Sequence, residues 1–135
     1  MRKLIVGVCA ATVSATIAIW PQNAQRLHPL DPLTVASEFT SLMLENERVR
    51  VLSIQIPPGQ TVPFHKVMRS VLVVLDAGKA VFRHPDGTTQ EVAFRPAEAG
   101  SQPVSTSSVL WDDPVTYSIQ NQGDTTIRFI RVETK

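Results

Sequence analysis

Residues 49–78 read VRVLSIQIPPGQTVPFHKVMRSVLVVLDAG, and this stretch decides the fold. Two apolar runs, Val49–Ile56 and Val71–Leu75, have the length and the β-branched content of strands. Pro57-Pro58-Gly59 breaks the chain after the first run, and Asp76-Ala77-Gly78 turns it after the second. Between them lies Thr61–Phe64, a third short strand, with one histidine, His65, at its end. In the first run the apolar positions are 49 and 51, then 52, 54 and 56. That slip of phase predicts either a bulge or a strand buried on both faces. The second run is apolar throughout, which predicts a buried strand.

The same pattern continues outward. Glu38–Leu44 predicts a short strand and Glu45-Asn46-Glu47 a turn. Ala80–Phe82, Glu91–Phe94, Thr116–Gln120 and Thr125–Val132 predict further strands. His84-Pro85-Asp86-Gly87 is a turn in which proline presets one backbone angle and glycine takes a positive φ. Asn121–Asp124 predicts a hairpin turn. Short strands separated by turns predict an all-β barrel or sandwich over residues 33–133, with almost no helix in it.

The totals allow one domain of 135 residues, and a hydrophobic content of 43% supplies a real core. Setting aside Arg2 and Lys3, the chain carries 11 basic and 12 acidic residues, so no basic stripe points to nucleic acid. The single cysteine, Cys9, has no internal disulfide partner.

Met1-Arg2-Lys3 precedes an uncharged run, Leu4–Trp20. Residues 1–20 read as a hydrophobic helix, and two roles stay open. One is a retained membrane anchor, which needs roughly 17–25 apolar residues. The other is a secretory signal, although Gln22 makes a poor −3 residue for cleavage after Ala24. Gly7, Ala11 and Ala15 form a small-residue face suited to close packing against another membrane helix. Either role places the rest of the chain on the extracytoplasmic, periplasmic side, because Arg2 and Lys3 hold the start inside. Residues 21–32, with prolines at 21, 29 and 32, read as an extended tether.

Taken in order, these motifs resemble the small single-domain cupins, which are jelly-roll barrels. The matching stretches are Asp31-Pro32-Leu33, Leu44 to Val51, Pro58-Gly59 with Pro63-x-His65, Val74 to Gly78, Pro85-Asp86-Gly87, Trp111-x-x-Pro114 and Asn121-x-Gly123-Asp124. The resemblance implies one divalent metal held by a His-x-His pair, a nearby acidic or polar ligand and a later histidine. His65 matches the first ligand. Val67 stands at the second, Val71 and Leu72 near the third, and Tyr117 at the last. The expectation is therefore a cavity lined by His65, Val67, Val71 and Tyr117, with no metal and no cofactor, because too few ligands remain.

A lone histidine beside Phe64 reads first as a hydrogen-bonded core residue, and second as half of a His65–Tyr117 pair facing across the cavity. His28 and His84 read as solvent-facing. Arg95–Ser108 replaces the short turn that small cupins have and reads as either an idle surface loop or a protein contact. The leading expectation is a non-catalytic accessory subunit, tethered to the membrane and touching a larger membrane complex, with a homodimer also open. The alternative is a metal-free small-molecule binder or enzyme using His65 and Tyr117. A cavity of roughly 300 Å³ or more would favour the alternative, and a filled barrel the former.

Overall fold

The computed structural model describes residues 28–96 and 108–135. The hydrophobic run Leu4–Trp20, most of the tether and residues 97–107 of the long loop lie outside the described residues. Among those described, no helix is long and apolar enough to cross a membrane.

Among the described residues, nine strands follow one short helix. They are α1 (Pro32–Val35), β1 (Thr40–Glu45), β2 (Val49–Ile56), β3 (Thr61–Val67), β4 (Ser70–Val74), β5 (Gly78–Arg83), β6 (Thr89–Phe94), β7 (Val109–Asp112), β8 (Val115–Asn121) and β9 (Ile127–Thr134). The strands form two antiparallel sheets, ordered β1-β2-β9-β4-β7 and β3-β8-β5-β6. The core between them holds Leu52, Ile56, Val62, Phe94, Ile127 and Phe129, each at most 2% exposed.

Several sequence expectations change in detail. The Asn121–Asp124 turn does not close a hairpin, because β8 and β9 lie in different sheets. Asn121 serves the crossing: its buried Nδ2 donates to the carbonyls of Ile56 and Thr125, both at 2.8 Å. The β4–β5 turn also changes sheets, and there Gly78 is required by space. A Cβ at Gly78 would meet Ile127 Cγ1 at 2.6 Å.

The phase slip around Val51 and Leu52 is not a bulge in β2: its apolar residues lie on both faces. β2 pairs with β9 in unbroken register, so Arg50, Leu52, Ile54 and Ile56 face inward while Val49 and Val51 face outward. The extra residue sits on the partner strand, where the β1–β2 register shifts between Leu42 and Leu44. Likewise Val71 and Val73 lie on the outer face, opposite in direction to buried Leu72. Val71–Leu75 is therefore apolar on both faces, but only one face meets the core.

The ordered domain begins slightly before residue 33. Asp31 is the N-cap of α1, with Oδ1 accepting from the Leu33 amide at 2.9 Å. Its Oδ2 accepts from Arg50 at 2.7 Å, and Arg50 also donates to Glu133 Oε2 at 2.7 Å. All three residues are buried. This triad ties the chain entry, β2 and β9 together. Removing the shared cation of such a group leaves interior carboxylates uncompensated, which typically costs about 3–5 kcal/mol. Arg50→Met, which leaves Asp31 and Glu133 without their partner, should destabilise the domain by about that amount in urea unfolding monitored by circular dichroism. A loss below about 1 kcal/mol would show the triad to be dispensable.

Candidate functional site

The interior site is set by a bulge. Val62 pairs with Ile119 and His65 with Tyr117, so β3 spends one residue more than β8 between these pairs. The extra residue lies at Pro63-Phe64 and re-aims the strand. Val62, His65 and Val67 point inward and are buried, while Phe64 is 39% exposed. The Pro63 carbonyl accepts from the His65 ring at Nδ1, 2.8 Å away. A carbonyl has no proton to give, so the neutral ring carries its proton on Nδ1 and leaves Nε2 free.

His65 and Tyr117 are strand neighbours rather than partners facing across a cavity. Their rings meet edge-on, with centroids 5.0 Å apart. Phe82 packs on Tyr117 from the adjacent strand at 4.9 Å. His84, expected in solvent, is half-buried and approaches Tyr117 at 6.5 Å. Val71 is not in the cavity; Leu72 takes that place.

The residue that sequence reading missed is Arg131. Its side chain is sealed in the interior at 3% exposure. Nη1 donates to Ser70 Oγ and Asp112 Oδ2, each at 2.7 Å, and Nη2 donates to the Tyr117 hydroxyl. Nε is buried without a partner among the described residues. Burial alone would lower the pKa of this guanidinium, but Tyr117 and Asp112 more than offset that, and it stays charged. Burial also pushes the Tyr117 phenol up to about 12, against the opposing pull of Arg131, so it remains neutral. The signal was present in the sequence: Ile127 and Phe129 set an inward phase that continues through Arg131 and Glu133.

The space left around these groups is small. The cavity lined by His65, Val67, Leu72, Tyr117 and Arg131 holds about 20 Å³, room for about one water. A second, open cleft of about 460 Å³ lies outside it, lined by Phe82, His84, Gln90, Trp111 and Asp112. Tyr117 and Phe82 form the wall between the two.

The donor set does not fit a divalent metal. Valine occupies position 67, Tyr117 is neutral and hydrogen-bonded to a cation, and a guanidinium already supplies the positive charge. Among the described residues no three His, Cys, Asp or Glu side chains cluster as ligands.

No family model and no curated protein matches this chain. Solved structures do. A cupin domain from Bordetella pertussis Tohama I superposes with a TM-score of 0.59 at 22% identity, over 71% of this chain and 91% of that one. A protein with a double-stranded β-helix domain from Klebsiella pneumoniae gives 0.49 at 20% identity, over 68% and 71%. A cupin superfamily protein from Desulfitobacterium hafniense gives 0.48 at 14%, over 70% and 74%. With the sheet order above, the first likeness fixes the architecture: this chain has the cupin jelly-roll fold.

The buried ring gives a pH signature. Burial, aided by the charge of Arg131, lowers the His65 pKa below 6.5, against the opposing bond to Pro63. Below 6.5 the unfolded chain binds a proton that the native ring does not. This group's stabilisation is thus complete above 6.5 and is lost as pH falls toward the folded value. The slope is at most about 1.4 kcal/mol per pH unit. Urea unfolding at about pH 7.5 and 5.5 should show the wild type losing more stability than His65→Gln, by up to about 1 kcal/mol. Equal losses would contradict the burial of a neutral ring.

Proposed function

We propose that this protein is a non-catalytic, metal-free cupin domain that acts by contact, as an extracytoplasmic accessory subunit of a larger membrane complex. The observation that carries this reading is Arg131. Its guanidinium and the Tyr117 phenol fill the interior that the fold otherwise offers to a metal or substrate, and leave room for about one water. A centre of that kind has no open coordination position and no free nucleophile.

The apolar run Leu4–Trp20, with its small-residue face, supports membrane attachment, and the proline-containing tether supports a short reach from it. A domain held that way gains effective concentration for partners in the same membrane. The long loop Arg95–Ser108 adds surface for such contact; its last residue, Ser108, is buried and accepts from the Val74 amide at 2.9 Å.

The cleft of about 460 Å³ favours a second reading, a small-molecule site. It would use Tyr117, His84 and Asp112, and would leave His65 out.

Gentle detergent extraction of the tagged full-length chain, with identification of what comes with it, separates the two. On the contact reading, deleting residues 97–107, or replacing Gly7 and Ala11 by leucine, lowers recovery of the partner complex several-fold. The pair His84→Ala with Tyr117→Phe leaves recovery unchanged. Loss of function from the pocket pair alone, with association intact and the loop and helix variants silent, would establish the small-molecule reading.

A further inference from the structure

The described chain enters the barrel at one end, and contacts fix which end it is. The Leu30 carbonyl accepts from the Lys66 amide, near the end of β3, at 2.8 Å, and Asp31 meets Arg50 at 2.7 Å. Across the larger sheet Arg50 lies opposite Glu45 and Glu133, Glu133 opposite Ser70, and Ser70 opposite Asp112. This polar row crosses all five strands, and the turns 46–48, 68–69 and 113–114 close the barrel just beyond it. Arg50, Ser70 and Glu133 are buried, so the row faces inward and the next positions along the strands face outward. Those positions are Leu44, Val51, Val132, Val71 and Trp111, paired in that order.

Among the described residues, four of the eight large exposed apolar side chains lie within two residues of that row. Met43 is 60% exposed, Trp111 59%, Leu44 53% and Met68, in one of the closing turns, 41%. At the opposite end the turns 57–60, 75–77 and 122–126 hold one such side chain, Leu75. The closing turns near the entry carry Glu47, Arg48, Arg69 and Asp113, two charges of each sign, and Arg69 lies 3.6 Å from Asp113. This end therefore offers a neutral, apolar footing rather than a charged one.

We infer that this end of the barrel sits on a lipid bilayer, with Trp111, Met68 and Leu44 at the level of the headgroups. The inference rests on the membrane attachment proposed above. What selects lipid is the length of chain before the described residues and the place where it joins them. Seven residues, 21–27, separate the apolar run Leu4–Trp20 from His28, and fully extended they span about 23 Å. A small domain is roughly 30 Å across, so so short a tether brings the entry end to the bilayer and leaves the far end turned away. The exposed apolar side chains travel with the entry end. Tryptophan suits the membrane–water interface, and the flanking leucine and methionines add apolar area to bury there. With its charges balanced, this footing needs no anionic lipid and suits a zwitterionic phosphatidylcholine surface.

One reconstitution separates this inference from the reading beneath it. The full-length chain with Trp20→Phe keeps Trp111 as its single tryptophan. In phosphatidylcholine vesicles it should float with the lipid, and lipids brominated in the upper acyl chain should quench Trp111 emission at least twofold. A probe at the far end, Leu75→Trp in a Trp20→Phe, Trp111→Phe background, should lose little emission. Both variants should keep the far-ultraviolet circular dichroism spectrum of the wild type. A chain that does not float would remove the membrane attachment and this inference with it. A floating chain with Trp111 unquenched would leave the attachment standing and overturn the inference. If that unquenched emission were also blue-shifted, the end would be covered by protein, which in these vesicles is a second copy. Equal quenching at the two ends would overturn the inference as well, because the barrel would then turn no particular side to the lipid.

Discussion

A guanidinium sealed inside a β-barrel must find its partners within the barrel, and Arg131 imposes that demand on four strands. β9 carries it, β4 supplies Ser70, β7 supplies Asp112 and β8 supplies Tyr117. An unpaired charge in such a place would cost several kcal/mol. Arg50 makes a similar demand one row away and is met by Asp31 and Glu133. Together the two arginines turn one end of the interior into a polar layer. Because side chains alternate along a strand, that layer forces the apolar residues beside it to the outside. The buried ion network and the exposed apolar stripe are two faces of one register.

That register explains what was legible in the sequence and what was not. The strands were legible because turns carry their own chemistry: Gly59 and Gly87 take positive φ in the Pro-Gly and Pro-Asp-Gly turns. His65 and Val67 were legible as interior residues through the resemblance, which sets them at two ligand positions. Val71 was misplaced because the resemblance set both it and Leu72 near one ligand position, and a run apolar on both faces gives no local sign of which face meets the core. Arg131 was overlooked because a charged residue on a strand reads as solvated, although Ile127 and Phe129 set its inward phase. Long-range pairing decides such positions. Ser70 and Asp112 reach Arg131 from 61 and 19 residues away in sequence.

The same interior governs what the domain can do. His65 holds its proton on the nitrogen bound to the Pro63 carbonyl, and Tyr117 stays protonated far above neutral pH. Tyr117 is therefore no base near neutrality, and the space beside the two groups admits about one water. The open surfaces remain for function: the cleft beyond Tyr117 and the apolar face of the larger sheet.

The central claim is that a guanidinium stands in this barrel where a metal centre would otherwise be built. Elemental analysis of the full-length chain, purified without chelator and compared with His65→Ala, tests it most directly. The account predicts no stoichiometric transition metal in either protein. One equivalent of iron, manganese, nickel, copper or zinc in the wild type, lost in His65→Ala, would contradict it.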